Sequence, residues 1–283
     1  MISRRDFIKG GLAAGAAALT ANAFWFEREN LTLEKVAVSV KGLPLEFDGF
    51  NICQITDVHH GPFISLEYVE SVVKAANELS ADAVVLTGDY VTDEAGYIAP
   101  VVKALSGIKS KYGIFAVLGN HDHRTDANKV SDELKNKGIR LLRNEGTHID
   151  ISGARICMAG VGDLMEDRPD AAKALSGADA LTPRILLSHN PDYAGYMPKD
   201  MRVDLMISGH THGGQVRVPF TGYAPYMPSR NGQKFTGGLV DLGHTRVYVS
   251  RGVGVVGLPV RVNCPPEITL ITLERDGARD PGA

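Results

Sequence analysis

The sequence predicts an α/β fold in which two mixed β-sheets face each other and helices cover their outer surfaces. Three observations support this prediction. In the first half of the chain, a buried strand, a polar motif and an amphipathic helix follow one another three times, which is typical of a parallel sheet. A hairpin and several apolar strands occupy the second half. The Val, Ile and Leu residues of all these strands need a second sheet to bury them.

The composition is that of a globular protein with a large core. Of the 283 residues, 44% are hydrophobic and 22% are charged. A net charge of −3 argues against a non-specific nucleic-acid binder, which needs a basic surface. The three cysteines form no Cys-x-x-Cys pair, so we predict buried free thiols, with one disulfide as the alternative.

Residues 1–23 have the features of an export signal. An arginine pair lies just before Phe7, and a Gly/Ala-rich apolar run follows over 10–24. The segment resembles a twin-arginine signal, which the twin-arginine translocase recognises on folded proteins. Ala-Asn-Ala at 21–23 fits a cleavage site. An ordinary amphipathic first helix is the alternative, but the run has no polar face. We therefore predict an exported protein, either periplasmic or at the outer face of the cytoplasmic membrane or cell wall.

One domain is predicted over 24–273, because no linker rich in Pro, Gly or Ser divides the chain. The polar segment 274–283 is predicted to be a flexible tail. Alternating apolar residues over 31–40 indicate an outer strand. Ser65 is the predicted N-cap of a helix over 65–79. The other predicted elements are helices at 95–105 and 128–137, a hairpin of 147–151 with 154–159, and strands at 51–56, 82–87, 113–118, 184–188, 203–207, 246–250 and 267–273.

Polar motifs rich in metal ligands follow five of these strands. Because functional groups in parallel sheets gather at the carboxyl ends of strands, we expect the motifs to form one site. The motifs are Asp57-Val58-His59, Gly88-Asp89, Gly119-Asn120-His121-Asp122, His189-Asn190-Pro191 and Gly209-His210-Thr211-His212.

The last motif places two imidazoles two residues apart. In an extended chain, His210 and His212 would point the same way with Cα atoms roughly 6–7 Å apart. That spacing suits two ions held about 3.5–4 Å apart, with one histidine on each. The flanking glycines leave room for other ligands to approach.

Each of the other motifs has a structural alternative when it is taken alone. Asp89 after Gly88 is a reasonable helix cap. His189 before a proline fits a turn, and Asn120 fits a tight turn after Gly119.

Taken in order over 51–215, the motifs resemble those of the calcineurin-like metallophosphoesterases. Their D-x-H, G-D, G-N-H-D/E, H and G-H-x-H blocks are all present. The resemblance implies a four-layer αββα sandwich. The later motifs Ser250-Arg251-Gly252 and Asn263-Cys264-Pro265-Pro266 resemble the exported YkuE/YaeI-like branch. Members of that branch act on phosphodiesters or as UDP-2,3-diacylglucosamine hydrolases in lipid A biosynthesis.

The resemblance also implies a ligand set for two divalent ions. Asp89 would bridge them, and each ion would have three further ligands: Asp57, His59 and His212 for one, and Asn120, His189 and His210 for the other. Imidazole, carboxylate and amide oxygen without thiolate suit Mn²⁺, Zn²⁺ or Fe, whereas Ca²⁺ and Mg²⁺ sites do not need four imidazoles. With two carboxylates and a bridging hydroxide, such a centre keeps a charge of about +1, which attracts phosphate.

The expected reaction is attack of the bridging hydroxide on phosphorus. His121 is the expected general acid, and Asp122 is expected to orient it. His60 and His123 are expected at the rim of the site, within reach of substrate. Arg251 is a candidate phosphate contact, with a structural salt bridge as the alternative.

Substrate choice is expected to depend on the apolar stretches 218–228 and 253–260. They would form a wall for an amphipathic or lipid-linked substrate at the membrane surface, or else simply pack onto the sheet. The sequence thus predicts a monomeric phosphoesterase that hydrolyses a phosphodiester or pyrophosphate bond of a phosphorylated small-molecule or lipid-linked envelope substrate. A catalytically silent metal- or envelope-binding protein and a nuclease are the alternatives.

Overall fold

The computed structural model describes residues 27–276. The predicted signal segment 1–23 and most of the predicted tail therefore lie outside the described residues. Two six-stranded sheets form the body of the protein.

The strands and helices follow the order that the sequence predicts. Twelve strands are β1 (Thr32–Val40), β2 (Asn51–Ile55), β3 (Ala83–Leu86), β4 (Ile114–Ala116), β5 (Arg140–Leu141), β6 (Glu145–Ile151), β7 (Ala154–Gly160), β8 (Arg184–Leu187), β9 (Leu205–Ser208), β10 (Gly238–Asp241), β11 (Arg246–Val249) and β12 (Glu267–Arg275). Over 27–276, the α-helices are α1 (Leu66–Glu78), α2 (Ile98–Leu105), α3 (Asn120–Asn136) and α4 (Ala171–Ala174). Short 3₁₀ helices include Pro191–Gly195, His212–Gly214 and Gly232–Phe235.

Both sheets are mixed, as expected. The first has the order β1-β12-β2-β3-β4-β5, and β2 to β5 are parallel. Its strand β12 pairs in parallel with the edge strand β1 and antiparallel with β2. The second sheet has the order β10-β11-β9-β8-β7-β6, with β7, β8, β9 and β11 parallel. The predicted hairpin is the antiparallel pair β6 and β7.

Three apolar clusters define four layers. Because successive residues of a strand face opposite sides of its sheet, Ile52 packs between the sheets and Cys53 packs toward the helices. Helices α1, α2 and α3 cover the first sheet with residues such as Val72, Leu105 and Val130. The outer face of the second sheet is covered by α4 and the 3₁₀ helix Pro191–Gly195. The αββα layering is confirmed.

Local signals account for several element boundaries. Ser65 caps α1 by accepting the Tyr68 N–H at 3.2 Å, as predicted. Helix α3 begins at Asn120 rather than near 128, with non-helical backbone at Asp126 inside it. Strand β12 continues to Arg275, because its last two residues still pair with β1, so it passes the predicted boundary at 273. Cys53, Cys157 and Cys264 are buried free thiols, as predicted.

Candidate metal centre

The candidate ligands lie where the carboxyl ends of strands from both sheets meet. Asp57 and His59 follow β2, Asp89 follows β3, and Asn120 begins α3 after β4; the second sheet contributes the histidines that follow β8 and β9. Gln54 links the sheets directly below them, since its Nε2 donates to Thr87 Oγ1 at 2.8 Å and to the Ser208 carbonyl at 2.9 Å. The position of the site therefore follows from the strand register.

One group of ligand atoms comprises Asp57, His59 and His212, which lie within 4.8 Å of one another. His212 Nε2 is 3.2 Å from Asp57 Oδ1 and 3.1 Å from His59 Nε2. All three residues are buried. Two imidazole nitrogens and a carboxylate that converge in this way fit a borderline divalent cation.

A second group comprises Asp89, His189 and His210. His189 Nε2 is 3.2 Å from Asp89 Oδ2, from His210 Nδ1 and from Asn120 Oδ1. The same Asp89 Oδ2 is 3.4 Å from His59 Nε2 of the first group. The carboxylate of Asp89 therefore lies between the two groups.

Neighbouring polar atoms fix the orientation of these ligands. His189 Nδ1 is 2.7 Å from the Thr87 carbonyl, and His59 Nδ1 is 3.0 Å from Thr92 Oγ1, which leaves each Nε2 free toward the centre. The His210 N–H donates to both oxygens of Asp57 at 3.0 Å. The His121 N–H donates to Asp89 Oδ1 at 2.9 Å, so that Oδ2 is the oxygen that faces the histidines.

Left-handed backbone is concentrated at the ligands. The residues with positive φ among the candidates are Asp57, His59, Asp89, His210 and His212. Such conformations are costly for non-glycine residues and cluster at functional sites. The segment from His210 to His212 is therefore not extended, contrary to the expectation from its spacing. The two imidazoles nevertheless belong to different ligand groups, because both residues turn out of the strand direction.

Two glycines permit the carboxylates to approach the backbone. A Cβ atom on Gly119 would overlap Asp89 Oδ1 and lie 2.7 Å from the Asp89 backbone nitrogen. A Cβ atom on Gly209 would overlap Asp57 Oδ2. Glycine is required at both positions for this reason rather than for its φ angle.

The charges of the ligands balance each other. Burial alone would raise the pKa of Asp89, but the charge of His189 and hydrogen bonds from His189 and His59 hold that pKa well below its ordinary value. Burial and then the charge of His189 lower the pKa of His210 to about 4. Burial opposes the charged form of His189, but the charge of Asp89 holds the pKa of His189 well above its ordinary value. A metal ion bound here would replace that proton, because only the neutral imidazole is a ligand.

Asp122 does not orient His121, and this prediction was wrong. Its carboxylate is buried and accepts the backbone N–H groups of Asp89, Tyr90 and Gly119 at 2.8–2.9 Å. Adjacent residues of a helix point about 100° apart, and the start of α3 at Asn120 turns Asp122 back toward the helix N-terminus. Asp122 thus holds the segment that carries Asp89.

Asp93 takes the place that was expected for Asp122. Its Oδ1 is 3.2 Å from His121 Nδ1, and the ring of His121 stands at 82° to that of His59 with centroids 4.9 Å apart. A ligand atom of His121 also lies within 4.8 Å of ligand atoms of His59 and Asp89. Asp93 has a φ of 48° in the irregular segment before α2, where no sequence periodicity marks it.

The three candidate substrate residues do not line the cleft above the ligands. His60 is buried, with its Nδ1 2.8 Å from the Ile64 carbonyl and its ring against Tyr97. Burial lowers the pKa of His123, and its Nε2 has no hydrogen-bond partner within residues 27–276. His60 is thus buried rather than at the rim, and His123 is half-buried outside the lining of the cleft.

Arg251 forms a structural ion pair, which was the alternative to a phosphate contact. Its Nη2 is 2.7 Å from carboxylate oxygens of both Glu34 and Glu267, on β1 and β12. Arg261, which sequence reasoning missed, is fully buried and donates to the carbonyls of Arg251, Gly252, Gly254 and Cys264. These two arginines hold the 251–264 loop behind Asp57. The motif Ser250-Arg251-Gly252, which resembles the YkuE/YaeI-like branch, therefore has a structural role.

The cleft has a volume of about 830 Å³ and exposes part of the ligand set. Asp89, Asn120, His121, His210 and His212 lie on its floor. Sequence reasoning missed four residues of its walls, namely Arg124, Met165, Tyr196 and Arg230. The walls also include Tyr226 of the predicted stretch 218–228 and Asn190 of the predicted motif, to which no role was assigned.

An apolar groove of about 330 Å³ adjoins the cleft and shares Tyr226, Pro228 and Val256 with it. Its remaining walls include Val216, Pro225, Leu258 and Val260. The stretches 218–228 and 253–260 are therefore not simply packed onto the sheet. Tyr226 and Leu258 are 73% and 71% exposed, and Phe220 is fully exposed.

Two family models match the chain. One describes the calcineurin-like phosphoesterases and matches residues 50–214. The other describes the signal sequence of the twin-arginine translocation pathway and matches residues 1–21, which indicates export across the cytoplasmic membrane. Over 27–276, none of the helices has the length and apolar character that a membrane crossing requires.

Two similar proteins match along nearly their whole length. The chain is 35% identical to the "Uncharacterized metallophosphoesterase YkuE" of Bacillus subtilis (strain 168), over 96% of this chain and 98% of that protein. It is 33% identical to the "Phosphodiesterase YaeI" of Escherichia coli (strain K12), over 96% of this chain and 100% of that protein.

A solved structure shows the same fold. The protein TT1561 of Thermus thermophilus has a TM-score of 0.51 and 18% sequence identity, and the match covers 72% of this chain and 90% of that one. At this identity, the likeness supports the architecture alone.

Proposed function

The chain belongs to the calcineurin-like phosphoesterase family, and from this premise we propose that it is a dinuclear metal-dependent hydrolase of phosphodiester or pyrophosphate bonds. Family membership supports a hydrolase acting on phosphoester bonds. The observation that carries the dinuclear centre is the position of Asp89, whose Oδ2 is 3.2 Å from His189 Nε2 and 3.4 Å from His59 Nε2. A carboxylate in that place is the natural bridge between two ions.

The proposed ligand set divides along the two groups. Asp57, His59 and His212 hold one ion; Asn120, His189 and His210 hold the other, and Asp89 is shared. Imidazole and oxygen donors without thiolate favour Mn²⁺, Zn²⁺ or Fe. When bound, such a pair of ions neutralises the phosphate and supplies a water-derived nucleophile near neutral pH.

His121 is the proposed proton donor to the leaving oxygen. It lies on the floor of the cleft and is partly exposed, whereas the ligand histidines His59 and His189 are fully buried. Asp93 binds Nδ1, which leaves Nε2 as the nitrogen available to a substrate. Asp93 therefore orients the ring so that the nitrogen that would donate the proton faces the cleft.

The apolar groove supports an amphipathic substrate. A phosphodiester or pyrophosphate bond in the cleft would place an attached acyl or other apolar group beside Tyr226, Pro228 and Val256. A lipid-linked envelope substrate such as a UDP-2,3-diacylglucosamine-like molecule has that form, and an exported enzyme would meet it at the membrane surface. We propose a monomer that associates with the membrane surface through the exposed residues of 218–228. Co-sedimentation with phospholipid vesicles, compared between the parent and Phe220→Ser, tests that association.

The decisive experiment measures both turnover and metal content. The mature protein, reconstituted with Mn²⁺, is expected to hydrolyse bis(p-nitrophenyl) phosphate and to bind two ions per chain. Asp89→Asn is expected to lower turnover by about 10³-fold or more, since it removes the shared charge of the centre. Arg155→Gln, on the remote hairpin, is the matched control. Absence of turnover in the parent, or equal turnover in the parent and Asp89→Asn, would refute the proposal and favour a silent binding protein.

A further inference from the structure

Arg230 is a cation in the wall of the cleft whose guanidinium forms no ion pair with any residue of 27–276, although the carboxylate of Asp192 also lines this cleft. Its Nη1 donates to the hydroxyl of Tyr196 at 2.5 Å. The other arginine of the cleft, Arg124, donates to Glu166 at 2.7 Å, so its charge is already balanced. An unpaired guanidinium in a cleft that receives phosphates is free to bind a further anion.

A buried aspartate fixes the position of Arg230. Asp192 accepts the Arg230 backbone N–H at 2.7 Å, the Ser229 hydroxyl at 2.8 Å and the Asn231 side-chain amide at 2.7 Å. Asp192 lies in the 3₁₀ helix that follows the metal-ligand candidate His189. The turn at 229–231 is therefore attached to the segment that carries a ligand, although it is far away in sequence.

Two further donors face the same part of the cleft. Tyr196 accepts from Arg230, so its own hydroxyl proton remains available. Asn190 lines the cleft beside His189, and its Oδ1 accepts the Asp192 N–H at 2.9 Å. The Asn190 Nδ2 amide makes no hydrogen bond to any residue that the structure describes. A guanidinium, a phenol and an amide thus present donors to this part of the cleft.

We propose that Arg230, Tyr196 and Asn190 form an anion subsite that binds a second phosphate of the substrate, beyond the one that is cleaved. The proposal rests on the proposed function, which assigns the scissile phosphate to the metal centre. It adds that the preferred substrate carries two phosphates separated by a short link. Arg230 would then act on substrate selection, and its contribution would appear in KM rather than in kcat.

Two matched probes test the subsite. p-Nitrophenyl propyl phosphate and p-nitrophenyl 3-phosphopropyl phosphate differ only in the terminal phosphate. The parent is expected to show a kcat/KM about tenfold higher for the phosphorylated probe, the scale of one charge-assisted contact. In Arg230→Gln this ratio should fall to about one through a rise in KM, and Arg230→Lys should keep part of it. The control Arg155→Gln should keep the parental ratio.

A binding measurement separates this proposal from the proposed function. Calorimetry of the Mn²⁺-loaded protein with propane-1,3-bisphosphate and with propyl phosphate needs no turnover. The parent should bind the bisphosphate about tenfold more tightly, and Arg230→Gln should bind both alike. Equal affinities in the parent, or an unchanged preference in Arg230→Gln, would overturn the subsite even if the enzyme is active. If the parent had no turnover but still bound the bisphosphate more tightly than Arg230→Gln does, the result would count against the proposed function and not against the subsite.

Discussion

The candidate metal-ligand cluster and the segment 216–235, which lines the same cleft, are built in different ways. The ligands are buried, follow strand ends and include five residues with left-handed backbone. The segment 216–235 contains one short 3₁₀ helix and exposes Phe220 and Tyr226. The carboxylate of Asp192 accepts the Arg230 N–H, and within the segment Gln233 forms two hydrogen bonds to the Ala224 backbone. The first region is thus determined by sheet register, and the second by a few side-chain hydrogen bonds.

From this difference we expect the first region to determine the chemical step and the second region to determine which substrate binds. The ligands cannot move without disturbing the strands, so changes there should affect metal binding and kcat. The segment 216–235 can change while the sheets remain intact, so changes there should affect KM and substrate choice. Variants in each region test this expectation.

The largest effect is expected for His121→Ala. Loss of a general acid should lower kcat by about 10²–10⁴-fold on a diester with a poor alkoxide leaving group. On bis(p-nitrophenyl) phosphate the loss should be much smaller, because nitrophenolate leaves without a proton. Steady-state kinetics on the two substrates gives the comparison. If His121 were instead a metal ligand, both substrates would be affected equally and the bound metal would decrease.

A smaller effect is expected for Gly119→Ala. The new Cβ would overlap Asp89 Oδ1, so we expect a loss of about 1–3 kcal/mol in unfolding free energy. Displacement of Asp89 should also weaken metal affinity on the order of 10–100-fold. Denaturant titration and metal competition measure the two effects. Gly96→Ala is the matched control, since its Cβ would meet nothing within 4 Å. A variant with parental metal affinity would contradict the bridging position of Asp89.

The smallest effect is expected for Gln233→Ala, in the segment 216–235. Gln233 accepts the Ala224 N–H at 3.0 Å and donates to the Ala224 carbonyl at 2.8 Å, and so closes the loop that carries Tyr226. Its removal should cost about 1 kcal/mol of stability and raise KM several-fold, with kcat and metal content unchanged. The neighbouring exposed Lys234→Ala serves as control. A fall in metal content would show that the two regions are not independent.

The sequence predicted the regular elements and the ligand motifs because both follow from local patterns. The strand periodicity located the ends at which Asp57, Asp89 and His189 lie. The family and its exported YkuE/YaeI-like branch, inferred from the order of the motifs, are confirmed. The strands β5 and β10 were missed, since β5 has only two residues and β10 has only two apolar residues, Leu239 and Val240.

The errors concern side chains whose partners are remote in sequence. Asp122 was paired with its neighbour His121, but the early start of α3 directs it to backbone N–H groups of the Asp89 segment. Arg251 finds its carboxylates on β1 and β12. The backbone of Arg230 is held by Asp192, which precedes it by 38 residues. No periodicity or local motif records such contacts.

The place of β12 in the first sheet has a consequence for biosynthesis. This strand lies between β1 and β2 and contributes Ile271 and Leu273 to the core between the sheets. While a ribosome is still synthesising the residues before Glu267, β1 has no partner strand and β2 lacks one of its two neighbours. The first sheet can therefore close only after translation of β12. Translocation of the nascent chain would separate these strands across the membrane, whereas a route that accepts completed, folded proteins lets the sheet and its metal ligands assemble first.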